Sequence, residues 1–380
     1  MSLLKIIPLG GLGEIGLNMM VFEYGDTIFL VDSGLMFPED YMLGVDFVIP
    51  NMDYLRQNQS KFAAVVLTHA HEDHIGALPY LIKDIKVPVF GTPFTLGLVR
   101  HKLEELELIH STALHEISLD ENLRLGPFDI EFIRVGHSVV DGVGLVIHTP
   151  CGTLVHTGDY KIGYGAVGGM TTDLNKFAGC GEKGVLALLS DSTNVEKEGY
   201  TISDKEIGET LDKIIADSRG RIIVALFASN VARTQLIVDI ARARGKKIVI
   251  SGRSIEVSVN IAKALGHLTI PAEMEIDIEQ VPDFADDDII MITTGSQGEP
   301  MSALARMGSG IHKQIRIKTG DTVILSSKFI PGNVKAIGKI INNLYGNGGD
   351  VIYVKVCDLE VWGQGVWVEV ELVMELGEGG

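Results

Sequence analysis

Cysteine is scarce in this chain. Cys151, Cys180 and Cys357 stand far apart, none in a Cys-x-x-Cys pair, so there is no thiol zinc site and no disulfide framework. Tryptophan is scarcer: Trp362 and Trp367 are the only two, both among the last 20 residues. No apolar run reaches the roughly 18 residues that a membrane helix requires. The start, Met1-Ser2-Leu3-Leu4-Lys5, leads straight into a strand pattern instead of a signal-peptide layout, and a reducing cytoplasm is the expected setting. Internal repeats and low-complexity tracts are absent. Positive charge is in deficit, with a formal net charge of −18 over 380 residues. Taken whole, that balance speaks against a nucleic-acid partner. The composition, 46% hydrophobic and 22% charged, is that of a soluble globular protein, and the length allows two or more units.

Up to about residue 160, short apolar segments alternate with Gly, Asp and Pro turns. Leu3–Leu9, Met19–Tyr24, Thr27–Asp32, Ala63–Thr68, Val87–Phe90, Asp129–Val135, Gly144–Thr149 and Gly152–Thr157 read as strands; Ile75–Lys83 and Pro93–Glu107 read as helices. This is a β-rich, layered α/β unit. From about residue 203 the texture changes. Ser203–Asp217, Asn230–Arg244 and Gly332–Leu344 have helical periodicity, and Ile222–Leu226, Lys247–Ser251, Ile289–Thr293 and Thr322–Ser326 read as fully buried strands. Such alternation predicts a parallel sheet in a second domain. Gly11-Leu12-Gly13-Glu14-Ile15-Gly16 matches the dinucleotide fingerprint in letters only. That motif requires a helix to open at its last glycine, whereas here two strands follow, joined at Gly25-Asp26, so a glycine-rich turn is expected.

The segment Thr68-His69-Ala70-His71-Glu72-Asp73-His74 packs three histidines and an aspartate into six positions behind an apolar strand. Imidazole and carboxylate are the ligands that divalent transition metals take from proteins. Asp32, His137 and Asp159 also sit just beyond strands, where loops of an α/β layer converge. His69 and His71, alternate residues of an extended loop, can face one ion together with His137. Asp73 and His74 reach the other side and can face a second ion, with Asp159 bridging. Two ions about 3.5–4 Å apart can generate a hydroxide and clamp a phosphoryl group. Asp32 is expected to orient the loop through hydrogen bonds rather than to touch an ion. All-N/O ligation suits Zn²⁺ and permits Mn²⁺ or Fe. His110, His115, His148, His267 and His312 read as structural.

In order and spacing, Asp32, His69-x-His71-x-Asp73-His74, His137 and Asp159 resemble the metallo-β-lactamase superfamily. Phe37-Pro38-Glu39-Asp40, Gly44-Val45-Asp46, Leu189-Ser190-Asp191-Ser192-Thr193-Asn194, Phe227-Ala228-Ser229-Asn230, Gly252-Arg253-Ser254 and Thr294-Gly295-Ser296-Gln297-Gly298-Glu299-Pro300 resemble its β-CASP branch, the ribonuclease J family in particular. The resemblance implies an α/β protein with an αββα metallo-β-lactamase fold and an inserted β-CASP α/β domain, a parallel sheet flanked by helices. Residues 1–203 would form the first domain, 204–350 the insertion, and 351–380 an incomplete return strand to the first. It implies a metal-dependent ribonuclease of RNA processing and mRNA decay with two divalent ions. The enzyme would act 5′→3′ and endonucleolytically on single-stranded RNA, favouring 5′-monophosphate ends. Catalytic roles would fall to Asp73, Asp159 and Asp191, and RNA or phosphate contacts to Ser229, Asn230, Arg253, Gly363 and Gln364. A homodimer or homotetramer and a helicase partner are further implications. A β-CASP nuclease acting on DNA, a small-molecule metallo-hydrolase of the same superfamily and a non-catalytic RNA-binding scaffold with an incomplete metal site stay open as alternatives.

Charge within the inserted region agrees with a phosphate-rich substrate. Between Arg219 and Lys263 nine basic residues face only Asp239 and Glu256, an excess that could meet phosphates. Ser229 and Asn230 open a helix and offer its N-terminal amides with them. The pattern departs from the family in two places. Ala232 stands where the family usually has a histidine. Glu360-Val361-Trp362-Gly363-Gln364-Gly365 replaces a segment that carries two histidines and a serine, and Gln364 has no proton to give as a general acid. The family's last histidine ligand would fall about 20 residues on, past Gly380, so a longer natural protein is expected, with a frameshifted C-terminus of a normal enzyme and a degenerate, non-catalytic paralogue as alternatives.

Overall fold

The computed structural model describes residues 2–38, 41–163, 171–199, 201, 203–299, 301–327, 329, 333–353, 364 and 366–378. Of the residues singled out above, Met1, Glu39, Asp40, Pro300, Gly332, Cys357, residues 360–363, Gly365 and Gly380 lie outside them. The chain divides into two compact units. Met1–Gly163, Met170–Thr201 and Gly363–Gly380 form one; Tyr164–Gly169 and Ile202–Trp362 form the other.

Two sheets build the first unit. One runs in the order β1 (Leu4–Gly10), β2 (Met19–Tyr24), β3 (Thr27–Val31), β4 (Phe62–Val66), β5 (Val89–Gly91) and β6 (Leu114–Glu116). The other runs β7 (Leu123–Leu125), β8 (Phe128–Arg134), β9 (Val143–Thr149), β10 (Gly152–His156) and β11 (Ala187–Leu189). Residues 12–16 are bends, and β2 pairs antiparallel with β3 around Gly25 (φ 61°), so the glycine-rich stretch opens a hairpin and no helix. From β3 onward the first sheet is parallel, which sends the ends of β3 and β4 toward the same edge.

Strand alternation explains the layers. Phe128, Ile130 and Phe132 of β8 and Val143, Leu145 and Ile147 of β9 share a core with Phe22, Phe29, Val31, Ala64 and Val66 of the first sheet. Phe29 stacks on Phe22 at 5.0 Å and meets Phe128 edge-on at 4.9 Å. Each such buried side chain contributes about 1.5–3 kcal/mol. Connections in the first sheet carry α1 (Asp53–Gln57), α2 (Glu72–Ile75), α3 (Leu78–Asp84) and α4 (Pro93–Glu105); α5 (Leu174–Lys183) follows β10. Ile133, Val146 and Val155, on the outward face of the second sheet, pack with Phe177 of α5.

The second unit alternates helix and strand: α6 (Asp204–Asp217), β12 (Ile222–Ala225), α7 (Val231–Ala243), β13 (Lys247–Ser251), α8 (Arg253–Ala264), β14 (Ile289–Thr293), α9 (Ala303–Gly308), β15 (Thr322–Leu325), α10 (Val334–Gly346) and β16 (Asp350–Tyr353). Its sheet is parallel throughout, in the order β13-β14-β12-β15-β16. The strands are apolar along their length because both faces are covered. Strand β16 pairs with β15, so residues 350–353 extend this sheet. That corrects the expected return to the first domain from residue 351: a short apolar strand has no sequence mark for which sheet edge it joins.

A last helix, α11 (Trp367–Glu378), belongs to the first unit and packs against α5. Val370 and Val373 enter the core beside Phe177 and Tyr160. Glu369 is buried and accepts a hydrogen bond from Thr201 Oγ1 at 2.7 Å. Val366 forms a parallel bridge with Asn194, and Trp367 N–H donates to Lys197 O at 3.1 Å. Among the described residues, no helix is long and apolar enough to cross a membrane.

Candidate metal centre

Three loops are clasped together at the ends of β3 and β4. Ser33 N–H donates to His74 O (2.7 Å), Leu35 N–H to Glu72 O (3.1 Å), Asn18 N–H to Asp73 O (3.2 Å) and Gly34 N–H to Asn18 O (2.8 Å). Gly34 lies so close to the histidine loop that a Cβ on it would sit 1.6 Å from Asp73 O. Asp32 adopts φ +61°, an uncommon value for a non-glycine residue that persists where surroundings enforce it. Here Oδ1 accepts from Thr68 N–H (2.8 Å), and Oδ2 accepts from Thr68 Oγ1 (2.8 Å) and faces His74 Nδ1 (2.8 Å).

His69, His71, His137 and Asp159 converge, with one ligand atom from each lying within 4.8 Å of the others. His71 Nδ1 is 3.0 Å from both His69 Nε2 and His137 Nε2. Tetrahedral ligation with metal–nitrogen distances of about 2.0–2.1 Å spaces ligand nitrogens by roughly 3.3 Å. The far nitrogen of His71 meets Ser138 Oγ at 3.2 Å, which turns Nδ1 inward. The loop bearing His137 is fixed at both ends. Gly136 N–H donates to Thr172 Oγ1 (2.9 Å), and Asp141 accepts from Thr92 Oγ1 (2.8 Å) and Phe94 N–H (2.9 Å) at the start of α4.

Asp159 stands between two groups. Its Oδ2 is 4.0 Å from His69 Nε2 and 3.8 Å from His137 Nε2, while Oδ1 is 3.4 Å from His74 Nε2. Asp73 Oδ2 lies 3.8 Å from the same His74 nitrogen. Imidazoles therefore dominate one side and carboxylates the other. Burial, together with the neighbouring imidazoles, pushes His71 down to about 3 and His69 well below the ordinary range. Both are neutral, with lone pairs available at neutral pH, as metal ligation requires. Burial opposes the charging of His74, but Asp159, Asp32 and Asp73 outweigh it and hold the ring well above the ordinary imidazole range. Burial likewise opposes the Asp159 charge, and His74, His69 and His137 outweigh it, holding the carboxyl well below the usual range. With the His74 proton displaced on ligation, this donor set fits divalent cations.

Asp191 lies nearby, after β11. Its Oδ1 accepts from Thr193 N–H (2.9 Å) and Oγ1 (2.7 Å), whereas Oδ2 is buried with no hydrogen-bond partner among the described residues. Burial and the charge of Asp159 push this carboxyl up to about 7. Two carboxamides at the centre escaped the sequence reading as parts of the metal site. Asn18 Nδ2 is 3.0 Å from His74 Nε2 and donates to Asp73 O at 3.0 Å; the only signal was an asparagine two residues past the glycine-rich turn. Gln364 Nε2 donates to Asp159 Oδ2 at 2.8 Å, a contact with a metal-site carboxylate where a phosphate contact was expected.

Geometry also changes the reading of the second unit. Asn230 caps α7, its side chain accepting from Arg233 N–H at 3.0 Å, so that oxygen already occupies the helix N-terminus. Ser229 is half-buried beside it, and Arg253 is exposed at the first position of α8. The local basic excess is partly neutralised by acids outside the segment. Arg221 is buried in a two-pronged pair with Asp321 (2.9 and 2.6 Å), Arg244 grips Asp212 (2.7 and 2.8 Å), and Lys263 meets Glu275 at 2.6 Å. Arg242 pairs with Asp239, and Arg233 is buried against Ser326 Oγ at 2.6 Å, its guanidinium lowered by burial to about 10. A count between Arg219 and Lys263 missed Asp321, Asp212 and Glu275 because folding brings them to their partners from outside that segment.

Comparison with known proteins places this site in a family context. Residues 12–164 match the model for the metallo-beta-lactamase superfamily, and residues 219–344 that for the ribonuclease J beta-CASP domain. The chain is 44% identical over 379 residues to ribonuclease J of Thermus thermophilus, covering 98% of this chain and 66% of that protein. It is 43% identical over 375 residues to ribonuclease J of Synechocystis (98% and 59%) and 38% identical over 372 residues to ribonuclease J2 of Bacillus subtilis (98% and 67%). It thus spans about two thirds or less of the length of these relatives. A crystal structure of an Enterococcus faecalis protein of unknown function has the same fold, with TM-score 0.69 at 14% identity, covering 99% of this chain and 92% of that one.

Proposed function

The chain belongs to the ribonuclease J family, and from that premise we propose that it is a metal-dependent ribonuclease, a hydrolase cleaving phosphodiester bonds of single-stranded RNA. The observation that carries this reading is the convergence of His69, His71, His137 and Asp159 on one point, with His74 Nε2 against the other oxygen of Asp159 and Asp73 beside that same nitrogen. His69, His71, His137 and Asp159 would hold one divalent ion, and Asp73, His74 and Asp159 a second. Zinc suits this N/O set best and manganese is compatible. When bound, such ions supply a hydroxide near neutral pH and neutralise charge on the phosphoryl oxygens.

The remaining chemistry belongs to the chain. Asp32 fixes the ring of His74, and Ser138 fixes that of His71, so the ligands are set before an ion arrives. Asp191, raised by burial and by the charge of Asp159 in the metal-free chain and with one oxygen that has no hydrogen-bond partner among the described residues, is the chain's candidate to hold a proton close to the reacting phosphate. Ser229 and Arg253 are the second unit's candidates for contacts to the RNA backbone. Cleavage from a 5′-monophosphate end in the 5′→3′ direction, with internal cuts besides, is the mode proposed, and its setting is cytoplasmic rRNA processing and mRNA decay. A homodimer or homotetramer and a helicase partner complete the proposal.

The test is digestion of a 5′-monophosphorylated single-stranded RNA, and of DNA of the same sequence, by the full-length protein loaded with Mn²⁺ or Zn²⁺. The reading expects loss of the RNA and none with Asp73→Ala. Intact RNA, or equal activity in both proteins, refutes it; faster loss of the DNA makes the chain a DNA nuclease.

A further inference from the structure

We propose that Gln364 is a positioning residue of the metal centre, its carboxamide locking the rotation of the Asp159 carboxylate so that each oxygen faces one ion position. The inference rests on the metal-centre reading above. Gln364 Nε2 donates to Asp159 Oδ2 at 2.8 Å. That oxygen faces His69 and His137, and Oδ1 faces His74. Each carboxylate oxygen has two lone pairs, so Oδ2 can accept from Gln364 and still offer a lone pair to an ion. Rotation of the carboxylate about its Cβ–Cγ bond would break this hydrogen bond.

The amide is itself held. Facing a carboxylate, the Gln364 side chain must present nitrogen, because an oxygen there would be repelled. Its Oε1 lies 3.5 Å from Asn194 Nδ2, and Asn194 is buried. Two residues on, Val366 bridges to the backbone of that same Asn194, and α11 anchors the segment through Val370 and Val373 in the core. A helix packed into the first unit thus delivers one carboxamide to the bridging carboxylate. A carboxamide does not titrate near neutral pH, so its contribution is directional.

The experiment uses cobalt(II) as probe ion in wild type, Gln364→Leu and the shorter Gln364→Asn. Affinity is read by competition with a chelator, ligand geometry by the visible absorption bands, and folding by the melting temperature of the metal-free proteins. Loss of such a supporting hydrogen bond typically weakens metal binding about 10–100-fold. The expected result is a weakening of that order with shifted bands in both variants, and metal-free melting temperatures equal to wild type. Unchanged affinity and bands in both variants overturn the proposal. So does a weakening that merely follows a fall in metal-free melting temperature, which marks a structural role. If wild type binds no cobalt, the underlying metal-centre reading falls, an outcome distinct from failure of the Gln364 role alone.

Discussion

Asp32 and His74 meet at 2.8 Å, Oδ2 to Nδ1, with the aspartate backbone in the left-handed region at φ +61°. An uncommon conformation is thereby tied to the ring that faces Asp159 and Asp73. Asp32→Asn keeps the shape but loses the charge that fixes the ring's orientation. The expected outcome is metal affinity lowered about 10–100-fold, read by chelator competition, with the fold retained by circular dichroism.

Gly34→Ala should fail for a different reason. The added methyl would lie 1.6 Å from Asp73 O, and the obstacle is backbone that carries two metal-site residues. Overpacking costs about 1–3 kcal/mol where side chains can shift, and this site cannot yield that way. A loss of at least that size is expected in denaturant unfolding, together with reduced metal content.

Asp191 gives stability a pH dependence of defined sign. Its folded carboxyl, raised by burial and by Asp159 to about 7, keeps a proton that the unfolded carboxyl releases near 4. Between these values the unfolded state binds fewer protons, so rising pH lowers stability until about pH 7, after which the loss is constant. In metal-free protein, Asp191→Asn should therefore gain on wild type as pH rises from 4 to 7 and hold that gain at pH 8. Denaturant titrations across this range provide the check.

Arg221 and the exposed arginines of the second unit should part company. Removing Arg221 leaves Asp321, fully buried, without its partner, which costs about 3–5 kcal/mol. Arg219→Ala and Arg253→Ala, at exposed positions, should change stability by less than about 0.5 kcal/mol. If these two contact phosphate, each lowers RNA affinity and reduces the slope of log affinity against log salt by about 1. Thermal unfolding and binding titrations at two salt concentrations separate the classes.

Sequence was most informative where local order is also spatial order. His69 and His71 lie in a loop and Asp73 and His74 on the short helix α2 that follows it, so one stretch of chain brings all four to the site. His137 and Asp159 were readable because each follows a strand of recognisable alternation. The parallel strands of the second unit were visible as apolar runs. What stayed hidden depends on partners far along the chain. The pairing of Arg221 with Asp321 or Arg244 with Asp212 leaves no mark in either segment. Helix α11 carries acidic residues and valines in an unfamiliar tail, and only its packing on α5 reveals that it belongs to the first unit's core. Gln364 read as a lost catalytic histidine because the family pattern assigns the position a role; its hydrogen bond to Asp159 assigns a different contact.

The most direct test of the two-ion account is the number of divalent ions retained per chain. It is measured by elemental mass spectrometry after loading with Zn²⁺ or Mn²⁺ and dialysis, for wild type and Asp73→Ala. The account predicts two ions in wild type and one in Asp73→Ala, because the aspartate serves only the position shared with His74. One ion or none in wild type, or two in both proteins, would contradict it.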